Sequence, residues 1–182
     1  MATLRGPRPL ERKDPRDGFS CGVHSLDTWL VEHAPVADAV GSARTYVILD
    51  EEQDRVVGYY ALTVASLERE EATGRASRGM PRHPIPAMLL ARLAVDESVQ
   101  GEGAGATLLA DAMQRTLLVA EEIGIRLLLV HAVNEEARGF YLHFGFEASP
   151  SDPMNLQLLI KDIRATIEVP ADESTVGPTP SA

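Results

Sequence analysis

The residues best placed to do chemistry are Gln100-Gly101-Glu102-Gly103-Ala104-Gly105, which stand between an apolar run ending at Val95 and a long apolar-striped segment starting at Ala106. Three of the six lack a side chain, so the backbone can bend sharply and a ligand can lie directly on its N–H groups. A helix starting here adds the positive end of its dipole, which suits a phosphate or pyrophosphate. A plain strand-to-helix turn accounts equally well for the glycine spacing taken alone. No Gly-Lys-Ser/Thr follows, which excludes a Walker-type loop. Gly101, Gly103 and Ala106 keep the Gly-x-Gly-x-x-Gly/Ala spacing of dinucleotide folds, but the acidic residue that should end the second strand is missing. That strand runs into Asn134, and Glu121 and Glu122 fall before it, inside the helix.

A second group is cationic. Arg75, Arg78, Arg82 and Arg92 lie in residues 72–95, a stretch with no Asp or Glu. They read either as a local basic patch able to meet phosphates or as solvated arginines of a loop. The formal net charge of −10, taken at face value, argues against a nucleic-acid partner. Cys21 is the single cysteine, which excludes a disulfide framework and a cysteine-built metal site; no metal is expected. No Cys/His/acid arrangement is legible around it. His24 and His33 read as surface or packing residues, and His131 as a buried, hydrogen-bonded residue within an apolar strand.

These groups need elements to hold them. Residues 1–16 alternate Arg, Pro and Lys and read as a flexible basic arm; residues 17–167 read as one folded domain, and residues 168–182, rich in Pro, Ser and Thr, as a solvated tail. Ser25 is placed to cap a helix carrying Leu26, Trp29, Leu30 and His33 on one stripe, with Pro35 breaking it. A second short helix near 36–40 ends at Gly41. Asp27 is a first-turn helix charge. Residues 44–49 and 56–64 make an antiparallel pair joined by a polar loop, with Tyr59 and Tyr60 on opposite faces. Residues 72–86 have no periodicity and read as a long loop, the lip of a site.

Beyond the glycine turn, Leu109, Ala112, Met113, Thr116, Leu117, Ala120 and Ile123 keep a helical stripe, with a stop at Gly124. The run 126–133 is apolar on both faces, as in a covered parallel strand, and closes a right-handed crossover. Asn134 caps a helix whose Ala137, Phe140, Tyr141 and Phe144 face inward; on residue pattern alone Tyr141 is one more core aromatic. Residues from 146 onward and 154–160 suggest closing hairpin strands. A chain of 182 residues with 45% hydrophobic content suits one domain, and its apolar runs are strand-sized, so no membrane span or signal peptide is expected and a cytoplasmic protein follows.

Gln100, Gly103 and Gly105 match the Gln/Arg-x-x-Gly-x-Gly/Ala signature, and the chain resembles the GNAT N-acetyltransferases. Arg-Leu-Ala-Val-Asp before the loop and Asn134…Ala137…Phe140-Tyr141…Phe144-Gly145-Phe146 after it extend the likeness. Phe19-x-Cys21-Gly22…Leu26-Asp27-x-Trp29-Leu30, Arg44-Thr45-Tyr46-Val47, Gly58-Tyr59-Tyr60-Ala61-Leu62 and Pro84-Ile85-Pro86 look like the TacT/AtaT-type toxins of toxin–antitoxin pairs. The resemblance covers roughly residues 10–165.

It implies an α/β fold: a mixed, mostly antiparallel sheet with a central splayed parallel strand pair and flanking helices. It implies acetyl-CoA, with its pyrophosphate on Gln100, Gly101, Glu102, Gly103, Ala104 and Gly105 and its pantetheine arm on the backbone of Leu93, Ala94 and Val95 and on Asn134. The Val95 N–H would face the thioester oxygen and Tyr141 would protonate the departing sulfur. No residue stands out as a base, which suits an α-amine, near 7.7–8 and already substantially neutral. In the toxins the acceptor is the α-amine of aminoacyl-tRNA; Arg75, Arg78, Arg82 and Arg92 would hold its phosphates, Asp27 is an alternative amine contact, and a ribbon-helix-helix antitoxin would cover the patch. A homodimer fits the same family. The competing readings are acetylation of a small amine or protein N-terminus, and a non-catalytic acetyl-CoA-binding module.

Overall fold

The computed structural model describes residues 2–168; the expected C-terminal tail therefore lies outside the described residues, apart from Glu168 at its first position. Among the described residues seven strands form one sheet in the order β1-β2-β3-β4-β5-β7-β6. They are β1 (Leu4–Pro9), β2 (Arg44–Asp50), β3 (Arg55–Leu67), β4 (Ile85–Val95), β5 (Leu127–His131), β6 (Glu147–Ala148) and β7 (Asn155–Leu159). Only β4 and β5 run parallel; every other neighbouring pair is antiparallel.

The basic arm is not loose. Leu4–Pro9 is the edge strand, paired with β2 from Leu4↔Asp50 to Pro9↔Tyr46. Its arginines suggested solvation, but Arg8 holds the buried Asp14 carboxylate through two hydrogen bonds of 2.9 and 2.7 Å, so charge fastens the edge instead.

Helices cover both faces. On one lie α4 (Ala104–Glu122) and α6 (Ile160–Glu168), above Ile48, Val57, Tyr60, Leu62, Met88, Leu90, Leu128 and Val130. On the other lie α1 (His24–Thr28) and α2 (Ala34–Val40), joined by the turn Trp29–His33; Leu30 of that turn and Ala34 of α2 meet Val47, Leu49, Val56 and Tyr59. Tyr59 and Tyr60 are thus both fully buried, in different layers, as strand alternation requires. The 68–84 segment seals the rest of that second face. It holds a 3₁₀ turn at Arg69–Glu71 and one α-helical turn, α3 (Gly74–Ser77), the latter where no regular element was expected, and Ala76 is fully buried against Ile85 and Leu127.

Two further details differ from the sequence-based expectation. Pro35 does not break the first helix: a π-helical turn at Trp29–His33 shifts the hydrogen-bond register, so the missing N–H falls at the start of α2, where none is needed. Ser25 lies inside α1 and makes no cap; Val23 is the N-cap, and the Asp27 carboxylate turns back to accept the Cys21 N–H at 2.8 Å. At the other end of the chain β7 runs directly into α6, a helix that the sequence pattern does not announce.

Candidate active site

The site is a gap in the sheet. β4 and β5 pair from Ala87↔Leu127 to Leu90↔Val130 and no further. β4 continues to Val95 against β3 alone, and between Ala61↔Arg92 and Leu62↔Leu90 one extra β4 residue, Ala91, bulges out. Such a bulge turns a strand and re-aims the residues beyond it. The Asp96 N–H bonds the Val57 carbonyl at 2.9 Å, so by alternation the peptide groups of Ala94 face β3, and those of Leu93 and Val95 face the gap. This divides the expected trio: the Leu93 backbone and the Val95 N–H are turned to the gap, where the Val95 carbonyl is already taken by the Gln100 side chain, while Ala94 is committed to Tyr59 across the ladder and packs with Phe19 and Leu30.

After β4 the chain turns through Asp96–Val99 into the glycine loop. Gly101 and Gly103 adopt φ of +81° and +88°, which side chains disfavour, and neither would bring a Cβ against another atom. The first bond of α4 is Thr107 N–H to the Gly103 carbonyl at 3.1 Å, so the N–H groups of Gly103, Ala104, Gly105 and Ala106 project from the helix start without an intrahelical partner. Donors at a helix N-terminus form an anion site. The roles of Gln100 and Glu102 are less direct. The Gln100 amide donates to the Val95 carbonyl at 2.9 Å and the Cys21 carbonyl at 3.1 Å, tying the loop to β4 and to the N-terminal segment. Glu102 is exposed, and its N–H turns back to the Val99 carbonyl.

Asp96 anchors this turn. It is buried and takes both Arg55 guanidinium nitrogens, at 2.9 and 3.1 Å, with the Ser98 hydroxyl at 2.6 Å and the Ser20 N–H at 3.0 Å. Burial by itself would raise the carboxyl, but the hydrogen bonds from Arg55, Ser98 and Ser20 outweigh it and hold it well below the usual carboxylate range.

Across the gap, β5 leads into α5 (Glu135–His143). Asn134 is its N-cap as expected, its side-chain oxygen accepting the Ala137 N–H at 2.8 Å, which leaves the amide nitrogen for a ligand. Tyr141 faces back toward the gap, 5% exposed, packed edge-on against Phe140 and Phe146. Its hydroxyl makes no hydrogen bond among the described residues, and burial raises the phenol above its ordinary value near 10. The hydroxyl therefore keeps its proton and has it free to give to a ligand atom in the cleft.

These parts line one cleft of about 610 Å³: Leu93, Ala94 and Val95 at its floor, Gln100, Gly101, Gly103, Gly105 and Ala106 at the glycine end, and Asn134, Ala137, Phe140 and Tyr141 on the α5 wall. The opposite wall is Cys21, Gly22, Val23 and Leu26, small and apolar residues from the segment entering α1, the side where the family resemblance expects the acceptor. The Cys21 thiol is pushed up to about 12, first by burial and then by the Asp27 carboxylate, so it is no nucleophile at neutral pH. Asp27 accepts the Cys21 N–H on one carboxylate oxygen and so ties this wall to α1.

The four arginines do not form one patch. Arg75 is held by Glu147 at 3.1 Å and by Asp162 at 2.8 Å, which fastens α3 to β6 and α6. Arg92 turns inward, its guanidinium 5.2 Å from the centre of the Trp29 ring. Arg78 and Arg82 are exposed and make no ion pair among the described residues. Arg126, not singled out in the sequence, fixes their segment by donating to the carbonyls of Arg75, Ala76 and Arg78, each at 3.2 Å. The described residues contain no cluster of His, Cys, Asp and Glu able to hold a metal ion, and no helix long and apolar enough to cross a membrane.

The chain is similar along most of its length to known proteins. The chain is 46% identical over 167 residues to a tRNA-acetylating toxin of Mycobacterium tuberculosis, an alignment spanning 92% of this chain and 99% of that one. It is 31% identical to a probable toxin TacT of Sinorhizobium fredii, covering 87% and 94%. Among solved structures, AtaT complexed with acetyl-methionyl-tRNAfMet superposes with a TM-score of 0.81 at 29% identity, covering 92% of this chain and 99% of that one. The AtaTR complex bound with acetyl-CoA superposes with a TM-score of 0.76 at 31% identity, covering 91% and 97%. Residues 41–148, which hold the splayed strands, the glycine loop and α5, match the acetyltransferase (GNAT) domain, and the chain is a member of the GNAT acetyltransferases, using acetyl-CoA as its acyl donor.

Proposed function

We propose that this protein is a toxin that moves the acetyl group of acetyl-CoA directly to the α-amine of an aminoacyl-tRNA and so blocks translation. The observation that carries the reading is the 46% identity to a tRNA-acetylating toxin along 92% of the chain. The geometry supplies a chemistry to match. The helix-start donors at Gly103–Ala106 hold the pyrophosphate, and Leu93 and Val95 bond the pantetheine arm as a strand would, with the Asn134 amide near its end. The Val95 N–H takes the oxyanion that forms when the amine attacks; one such donor is worth about a hundredfold to a thousandfold in rate. Tyr141, neutral and unpartnered, gives its proton to the sulfur. Arg78 and Arg82 meet the tRNA backbone, and Arg92, over the Trp29 ring, steers the acceptor end. A ribbon-helix-helix antitoxin covers the same face, and the protein works in the cytoplasm; a homodimer is the assembly proposed.

The test is transfer of labelled acetyl from acetyl-CoA to total charged tRNA by the wild type and Tyr141→Phe. Label on aminoacyl-tRNA that falls about a hundredfold with the mutation, at unchanged acetyl-CoA affinity, supports the reading. Equal rates remove Tyr141 as the acid. Label appearing only on a small amine or a protein N-terminus moves the acceptor, and acetyl-CoA binding without transfer to any acceptor leaves a binding module.

A further inference from the structure

Away from the cleft, a groove of about 700 Å³ runs between α2 and the chain that leaves β1, and it shares no lining residue with the cleft. Pro9, Leu10, Pro35, Val36 and Ala39 give it apolar sides. Its floor is the start of β2, where Thr45 stands on the α2 side of the sheet with Val47 and Leu49, as alternation requires, and is 1% exposed. The Thr45 backbone is satisfied: its N–H donates to an Asp38 carboxylate oxygen at 3.3 Å, and its carbonyl accepts the Leu10 N–H at 2.9 Å. Its hydroxyl has no hydrogen-bond partner among the described residues. A buried hydroxyl in that state has given up its bonds to water for nothing, and such atoms are rare enough to need a cause.

The helix beside it is unusual in a second way. Ala34-Pro35-Val36-Ala37-Asp38-Ala39-Val40 holds one polar residue, and a helix apolar on every side belongs in an interior. Only Ala34 is buried; Val36 is 60% exposed and Val40 71%. The apolar surface thus continues past the groove onto Val40, which a small molecule seated in the groove would leave wet. Charge narrows the partner further. The lining has two cations, Arg12 and Arg44, and one carboxylate, Asp38, which is engaged by Arg44 at 3.5 Å and by the Thr45 N–H. The Arg12 guanidinium is exposed and makes no ion pair among the described residues. A second copy related by a twofold axis would set this face against itself, cation to cation, with no spare acid to meet them. A segment that carries acidic residues beside its apolar ones is the complement.

We propose that this groove is the docking site for an amphipathic, acidic helical segment of a partner protein. Seven residues at ~1.5 Å rise make α2 about 10 Å long, which matches about two turns of such a helix. Its apolar residues, three or four apart, pack on Val36 and Val40. An acidic residue meets Arg12, and a polar side chain gives the Thr45 hydroxyl the partner it lacks.

The probe is a displayed library of random peptides of about 12 residues, some three helical turns, selected on the wild type and depleted on Val36→Asp/Val40→Asp. Both valines are exposed, so the double variant keeps its fold, checked by calorimetry as an unchanged acetyl-CoA affinity. Arg12→Glu gives a second comparison that leaves α2 untouched. Enriched peptides are expected to pair apolar residues three or four apart with Asp or Glu, and to bind both variants at least tenfold more weakly than wild type. Thr45→Val is expected to weaken them about tenfold, the worth of one good hydrogen bond, while the melting temperature of the free protein does not fall, because no bond inside it is lost. No enrichment, or peptides that bind the double variant or Arg12→Glu as tightly as wild type, overturn the proposal. A lower melting temperature in Thr45→Val with undiminished peptide binding removes Thr45 from the site. Sedimentation that shows a wild-type dimer abolished by Val36→Asp/Val40→Asp replaces the partner with a second copy.

Discussion

Single positions in this protein separate ligand binding from chemistry. The Tyr141 hydroxyl has no protein partner among the described residues, so removing it disturbs no hydrogen bond, and Tyr141→Phe is expected to keep the melting temperature within about a degree while the transfer rate falls. Gly103 behaves in the opposite way. Its φ of +88° puts a non-glycine residue in a left-handed conformation costing about 1–2 kcal/mol, yet open space surrounds its Cβ position. Gly103→Ala is therefore expected to twist the helix-start donors off their ligand. Calorimetry should show acetyl-CoA affinity weakened about tenfold, with a modest loss of melting temperature; wild-type affinity would mean that these N–H groups do not hold the pyrophosphate. Gly105 has less margin, since its Cβ would sit 3.6 Å from Phe140 and 3.8 Å from Val95, filling the floor between the two walls.

At the level of elements, Asp96 joins three pieces that sequence separates: the segment at Ser20, the start of β3 through Arg55, and the turn that launches the glycine loop. Its carboxyl titrates below its unfolded value, so the stabilisation is present above the unfolded pKa near 4 and is lost as pH falls through the lower folded value. Asp14, held by Arg8, adds to the same slope; burial raises its carboxyl, and the Arg8 and Glu11 N–H hydrogen bonds lower it further than burial lifts it. Denaturant unfolding at a series of pH values should show stability falling from pH 5 toward pH 2. Asp96→Asn should flatten much of that fall and cost about 2–3 kcal/mol at pH 7, less than the ~3–5 of a fully buried pair because Arg55 is 22% exposed. A variant as pH-dependent as the wild type would place the titration elsewhere.

Across the whole molecule the question is how a chain of net charge −10 could hold a polyanion. The arginines answer it unequally. Arg75 is spent on Glu147 and Asp162 and belongs to the architecture, whereas Arg78 and Arg82 stand exposed on the segment clamped by Arg126. The double change Arg78→Glu with Arg82→Glu is expected to lower kcat/KM for charged tRNA at least tenfold and to flatten its salt dependence, leaving acetyl-CoA affinity alone. Unchanged kinetics would make them ordinary solvated arginines. Reversing Arg75 should instead loosen the contacts of α3 with β6 and α6, read as faster proteolysis of the 68–84 segment, with a secondary effect on transfer.

The glycine loop, the capped α5 helix and the alternation of Tyr59 and Tyr60 were determined by the sequence itself, because each depends on residues within a few positions of one another. Glycines at a strand-to-helix junction, Asn before Glu135-Glu136, and adjacent aromatics on a strand have few local alternatives. The arm of residues 4–9, the side chains of Gln100 and Arg75, the wall at Cys21–Leu26 and the exposure of His131 were decided only in the tertiary structure. Each depends on a partner far along the chain: β2 for the arm, the Val95 and Cys21 carbonyls for Gln100, Asp162 for Arg75, Asn155 for His131. A charged or polar residue looks the same in a sequence whether water or a distant carboxylate satisfies it, and only the fold selects which.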